Sequence, residues 1–266
     1  MMWINGVAAA TLPASDRSVQ FGDGCFTTAR VSDGVIEFLS RHIDRLQRAA
    51  SVLRIEGVDW AALEQEMVLA AGQQQEAVVK AVVTRGQGGR GYSVAGCSAP
   101  TRIVSVSAYP VHYHAWRKQG VKLALSPVTL SKAPLLAGIK HLNRLEQVMI
   151  RMHLDQTEAN EALVVDTSGC LVECCAANLF WRKGNQVFTP DLSQSGVDGI
   201  MRQHLIRVLE ATSPRGVHIV SEPPSTLSDA DEILICNALM PVLPVNQIDN
   251  QYYASRRLYD FLLQNC

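Results

Sequence analysis

The chain has 266 residues, 47% of them apolar, and its 24 Lys and Arg nearly balance 25 Asp and Glu for a formal charge of −1. A near-neutral balance implies neither nucleic acid nor an anionic membrane as a partner, and no apolar run reaches the roughly 20 residues of a bilayer span. Met1 to Gly6 shows no basic stretch ahead of an apolar one, so it does not read as a secretion signal, and a cytoplasmic location is expected. The length fits one large domain or two modest ones sharing a cleft. Seven scattered cysteines (Cys25, Cys97, Cys170, Cys174, Cys175, Cys236 and Cys266) read as reduced thiols. His112 and His114 share a face only in an extended segment, and with no third ligand nearby no metal site is expected.

Trp3-Ile4 before Asn5-Gly6 starts the chain as strand and turn, followed by strands at Phe26 to Val31 and Val35 to Leu39 around Ser32-Asp33-Gly34. Ser40 is expected to cap a helix whose apolar stripe is Ile43, Leu46, Ala50 and Leu53, and a second helix is expected from Trp60 to Ala71. Two β-rich runs, Ala77 to Thr84 and Arg102 to Tyr109, flank a glycine-rich loop, and Pro110 to Gly120 loses apolar periodicity and reads as a connection between domains. Beyond it lie a strand from Val121 to Leu125 and a helix from Leu142 to Leu154 with Leu145, Val148, Met149 and Met152 on one face. Short strands at Ala162 to Val165, Leu171 to Cys175, Leu179 to Arg182 and Gln186 to Thr189 alternate with turns, which argues for antiparallel hairpins. Gly199 precedes a helix from Ile200 to Leu209. Strands Val217 to Val220 and Glu232 to Cys236 bracket a short helix, and Leu258 to Leu263 reads as helical. The pattern is mixed α+β in two lobes.

Four places carry candidate chemistry. Lys140 lies just before or within the first turn of the expected 142–154 helix, where the helix dipole disfavours a solvated ammonium and favours the neutral amine that a Schiff-base lysine needs. An ordinary surface lysine fits the same position. Glu173 alternates with apolar neighbours on its strand, so its carboxylate is at least partly buried and needs a donor or cation. A core salt bridge or the protonated nitrogen of a ligand would serve. Gly199-Ile-Met-Arg202 opens a helix, Asn237-Ala238 follows an apolar strand and Arg45 sits beside Asp44. Each is a possible anion contact, or simply a helix start, a strand end and a solvated charge pair. Arg85-Gly-Gln-Gly-Gly-Arg-Gly-Tyr92 lacks the helix of a dinucleotide fold and the ending of a phosphate-binding loop. It reads as a flexible hairpin, or as a mobile loop delivering Arg90 to a carboxylate. Neither a Gly-x-Ser-x-Gly elbow nor a His-Glu-x-x-His helix is present, which leaves hydrolase readings little support.

Jointly, Phe21-Gly-Asp-Gly-Cys-Phe-Thr-Thr-Ala-Arg30, His42-Ile-Asp-Arg-Leu46, Arg85 to Tyr92, Gly138-Ile-Lys-His-Leu-Asn-Arg144, Glu173 with Asn178-Leu-Phe180, Gly199-Ile-Met-Arg202 and Cys236-Asn-Ala-Leu-Met240 resemble the fold-type IV pyridoxal-phosphate enzymes over nearly the whole chain. The resemblance implies a small N-terminal α+β domain (residues 1–112), a linker (113–120) and a larger C-terminal domain (121–266) with a barrel-like sheet, pyridoxal 5'-phosphate lying between the domains, and a homodimer. By the same resemblance Lys140 is the Schiff-base lysine and later the general base, and Glu173 pairs with the pyridine nitrogen. Arg45 and the amides of Ile200, Met201, Asn237 and Ala238 form a phosphate cup with Asn178 among the cofactor ligands. Thr28 helps orient the ring, and Arg90, Arg30 and Arg144 are candidates for substrate carboxylates. The activity implied is a lyase reaction from 4-amino-4-deoxychorismate to 4-aminobenzoate and pyruvate, with a branched-chain or D-amino-acid aminotransferase as the alternative.

Overall fold

The computed structural model describes residues 1–72, 74–97, 99–212 and 216–265. The chain divides into two compact units, one made of Met1–Pro110 with Ile139–Asn143, the other of Val111–Gly138 with Arg144–Cys266. Five residues from the middle of the sequence thus belong with the first unit, and Lys140 is among them.

The first unit runs β1 (Met2–Ile4), β2 (Val7–Ala8), α1 (Arg17–Phe21), β3 (Gly24–Ser32), β4 (Val35–Ile36), α2 (Leu39–Leu53), α3 (Trp60–Ala71), β5 (Glu76–Thr84) and β6 (Thr101–Ala108). The strands form an antiparallel sheet in the order β2-β1-β6-β5-β3-β4. Alternation along β3 buries Cys25, Thr27, Ala29 and Val31 and leaves Phe26, Thr28 and Arg30 half-buried on the opposite face. The buried face joins a core with Ile43, Leu46 and Ala50 of α2 and Leu63 and Met67 of α3. Ser40 does not cap α2. The cap position lies two residues earlier, at Phe38, which adopts a left-handed conformation (φ 56°) and makes no side-chain cap, and β4 ends at Ile36 rather than running to Leu39.

The second unit runs α4 (His112–Gln119), β7 (Val121–Leu125), α5 (Leu145–Leu154), β8 (Glu161–Val165), β9 (Leu171–Cys174), β10 (Asn178–Lys183), β11 (Gln186–Pro190), α6 (Ile200–Thr212), β12 (Val217–Val220), a 3-10 turn (Pro224–Asp229), β13 (Glu232–Cys236), β14 (Leu243–Ile248), β15 (Gln251–Tyr252) and α7 (Arg257–Asn265). Its nine-stranded mixed sheet has the order β12-β11-β10-β13-β14-β7-β8-β9, with β15 added on β14. The expected hairpins β8–β9 and β10–β11 are antiparallel. The segment read as a linker is helical, as α4: the His112 ring meets Tyr113 edge-on and Trp116 at a tilt, and the last two side chains pack on the apolar core of this unit. Helical backbone there replaces the extended segment in which His112 and His114 were expected to share a face. The six cysteines among the described residues are free thiols, and Cys266 lies outside the described residues.

Helix α5 begins three residues later than the periodicity predicts. Leu142 is held out of it by a backbone hydrogen bond from its amide to Gly24 O at 3.0 Å. Its buried side chains are Ile150 and Leu154, whereas Leu145, Val148, Met149 and Met152, expected on one packed face, are 78, 53, 52 and 61% exposed.

Candidate active site

In the first unit the Lys140 segment extends the start of β3. The Phe26 amide donates to Lys140 O at 2.9 Å, and Cys25 and His141 form an antiparallel bridge. Asn143 Nδ2 donates to Gly22 O at 3.2 Å. Gly22 has φ +63°, and a Cβ there would collide with the Asn143 carboxamide, so the residue after α1 is restricted to glycine on both counts. Half-buried Lys140 directs its Nζ to 4.7 Å from the Phe26 ring centroid. The lysine therefore precedes α5 by five residues on a strand-like segment rather than occupying the first helical turn.

Phe26 shares its face of β3 with Thr28, which pairs directly with Lys80 of β5. Exposed Lys80 sets its own Nζ 4.9 Å from the same Phe26 ring. Two ammonium groups thus flank one aromatic ring, and Thr28 stands on the same side of the sheet. Arg30 follows on that face but is engaged elsewhere. It bonds Glu76 at 2.9 Å, lies 3.4 Å from Glu37 and stacks on Tyr109 at 5.0 Å. Those partners match its charge within the first unit.

Behind the sheet, half-buried Arg45 donates from Nη2 to Thr27 Oγ1, and Thr27 Oγ1 lies 2.5 Å from His42 Nδ1. Thr27 and His42 are both fully buried. Burial first, and the Arg45 charge second, push His42 down to about 3, so the ring is neutral.

The glycine-rich loop is tied to the rest of the unit at several carbonyls. Arg17, 3% exposed, donates from Nη1 to Gly91 O at 3.1 Å, Ser93 O at 3.3 Å and Gly88 O at 3.5 Å, while its Nε bonds Asp23 at 2.9 Å. Asp23 also takes a two-pronged bond from Arg85, and these guanidiniums hold its carboxyl below the usual range against the opposing effect of burial. Arg90 rides on this anchored loop with its side chain exposed, and Tyr92 contacts Phe21 at 5.7 Å.

In the second unit Glu173 is 5% exposed on β9. Its Oε2 accepts from the Val197 amide at 2.9 Å, and Asn178 Nδ2 donates to the carbonyl of the same Val197 at 2.9 Å. Glu173 and Asn178 therefore grip the loop that leads into α6. Gly199 follows, and a Cβ there would meet Asn178 Oδ1 directly. Gln203 is the residue whose amide closes onto Gly199 O, so the amides of Ile200, Met201 and Arg202 open the helix without partners in the preceding turn. The Arg202 side chain holds the opening together through Asp198, Thr189 and Pro190 O.

Asn237 caps its own turn, its Oδ1 accepting from the Leu239 and Met240 amides at 2.8 Å each. Its backbone amide donates to Met240 O at 3.1 Å, so only Ala238 of the expected pair keeps an amide outside that turn. Half-buried Arg144 stands at the start of α5. Burial depresses it, and the charges of Glu173 and Glu146 oppose that.

The profile of the class IV aminotransferases matches residues 24–248. The chain belongs to that family. It is 38% identical to the aminodeoxychorismate lyase of Vibrio harveyi over 93% of this chain and 91% of the relative. It is 29% identical to a putative branched-chain-amino-acid aminotransferase of Methanocaldococcus jannaschii over 94% of this chain and 86% of that one. The crystal structure of 4-amino-4-deoxychorismate lyase from Pseudomonas aeruginosa superposes with a TM-score of 0.92 at 36% identity, covering 100% of this chain and 99% of the other.

For this class IV aminotransferase family member, the sequence placed Thr27 and His42 within motifs without giving them a role and passed over Lys80. Alternation was the available signal for two of them. It places Thr27 opposite Thr28 on β3, and it makes Lys80 a charged interruption inside the apolar run of β5.

Proposed function

We propose that this chain is a pyridoxal-phosphate-dependent lyase that converts 4-amino-4-deoxychorismate to 4-aminobenzoate and pyruvate. The observation that carries the reading is the whole-chain likeness to two lyases of that name at 38 and 36% identity. The donor set fits the cofactor: an amine for an aldehyde, a buried carboxylate for a pyridine nitrogen, and an arginine with open helix amides for a phosphate. When bound, pyridoxal phosphate supplies an electrophilic aldehyde and a ring that accepts electrons.

In this reading Lys140 is the covalent anchor and, once released, the base that takes the proton from the amine-bearing ring carbon of the substrate. Phe26 walls one side of its amine. Glu173 holds the pyridine nitrogen protonated, and its grip on Val197, shared with Asn178, keeps the opening of α6 in place. Arg45 and the amides of Ile200, Met201 and Ala238 hold the phosphate. Asn178 and Asn237 act by shaping those loops. Thr28 and Lys80 face the reacting side. Lys80 and Arg90 are the cations assigned to the two substrate carboxylates.

The protein works as a homodimer in the cytoplasm in this proposal. The exposed Leu145, Val148, Met149 and Met152 of α5 give a second copy apolar surface to cover, and no helix among the described residues is long and apolar enough to cross a membrane.

The test is product analysis on the purified enzyme with cofactor. Formation of 4-aminobenzoate and pyruvate in equal amounts is expected. Keto-acid formation from branched-chain or D-amino acids without 4-aminobenzoate would make the chain an aminotransferase instead.

A further inference from the structure

The group behind β3 does more than fill the core. Thr27 Oγ1 accepts from Arg45, whose guanidinium only donates, so the threonine proton has one use left, which is to donate to His42 Nδ1 at 2.5 Å. That arrangement needs a neutral histidine carrying its hydrogen on Nε2, as burial and the nearby guanidinium dictate. His42 Nε2 is itself buried without a hydrogen-bond partner. A buried orphan N–H is destabilising, so His42 is not explained by packing alone. The alternation of β3 and the helical position of His42 on α2 bring the three side chains together, with Thr27 and His42 fully buried and Arg45 half-buried.

We propose that Thr27 and His42 are positioning residues for Arg45. Neutral His42 fixes the threonine hydroxyl so that its lone pairs face the guanidinium, and the hydroxyl in turn sets the guanidinium plane. This rests on the reading of Arg45 as a phosphate contact. Its consequence is specific: the pair governs how tightly the phosphate is held and leaves the rest of the cofactor untouched.

The experiment measures dissociation constants of pyridoxal phosphate and of phosphate-free pyridoxal for the full-length enzyme, stripped of cofactor and titrated by absorbance. Thr27→Val is expected to weaken pyridoxal phosphate about tenfold, the equivalent of one lost hydrogen bond, while pyridoxal stays within about twofold. Thr27→Ser is expected to restore the difference. His42→Leu, which removes the acceptor without touching the threonine, is expected to act as Thr27→Val does, and it decides the matter should the valine variant not fold. Equal weakening of both ligands, or none, overturns the proposal. Arg45→Ala separates the two layers: if it leaves the ratio of the two constants unchanged, the phosphate reading of Arg45 fails, whereas a changed ratio with silent Thr27 and His42 variants defeats only the positioning role.

Discussion

The Phe26 amide donates to the carbonyl of Lys140, and the Phe26 ring lies 4.7 Å from the amine of the same lysine. One residue of β3 thus meets Lys140 at its carbonyl and at its amine, and the backbone bond survives truncation of the side chain. Lys140→Ala should therefore fold normally, with a thermal midpoint within a few degrees of the parent. Turnover should fall by about a thousandfold or more, since the variant loses both the covalent anchor and the base. The cofactor's imine absorbance should vanish with it. Retained absorbance in the alanine variant defeats the assignment of the lysine.

Glu173 has two duties that substitution can separate. Glu173→Gln keeps an acceptor for the Val197 amide, so stability should hold while turnover drops. Glu173→Ala orphans that buried amide as well and should cost about 1–3 kcal/mol in urea unfolding. Equal stability of the two variants would show that the hydrogen bond to Val197 contributes nothing.

Arg30 and Lys80 sit on one face of one sheet and should answer differently. Arg30→Ala loses contacts to Glu37 and Glu76, so a stability loss on the order of 1 kcal/mol with an unchanged KM is expected. Lys80→Ala should raise KM for the dicarboxylate substrate without a comparable change in the unfolding midpoint. Steady-state kinetics beside thermal melts distinguish them, and an unaltered KM for the lysine variant removes Lys80 from substrate binding.

Glu161 offers a pH test. It is 5% exposed, and burial pushes its carboxyl up from 4.5 to about 7, against hydrogen bonds from the Ala162 and Ala176 amides. With the folded value above the unfolded one, the native state binds the proton more tightly. Its contribution is complete below about pH 4.5 and is lost as pH rises through about 7. Relative to Glu161→Gln, the parent should lose on the order of 3 kcal/mol across that window. Parallel stability curves for the two proteins from pH 5 to 8 contradict the shift.

Several elements were legible in the sequence: β3 by alternation, β5 and β6 as β-rich runs, α3 by its spacing, and the β8–β9 and β10–β11 hairpins by their turns. Helix α4, read as a connection, was not, because only Tyr113 and Trp116 of its eight residues reach the core, too few to register as a repeat. Leu142 continues the helical pattern of α5 but is pulled onto β3 by a tertiary hydrogen bond, which local propensity cannot anticipate. Of the site, Lys140, Glu173 and the Gly199 opening were visible as residue types in a suggestive order. The engagement of Arg30 with Glu37 and Glu76, and of the Asn237 amide with Met240 O, depends on partners distant in sequence or on turn geometry, so neither could be read from the chain.

Because residues 139–143 complete a lobe otherwise built from residues 1–110, that lobe cannot finish folding as it leaves the ribosome. Its β3 edge has to wait until about thirty more residues have been synthesised before the Lys140 segment can dock on it. During that interval the amides of Phe26 and its neighbours are an open strand end. Lys140 is thereby among the later pieces to arrive, and a chain halted shortly after Pro110 holds a lobe with Lys80 in place beside Phe26 but without Lys140.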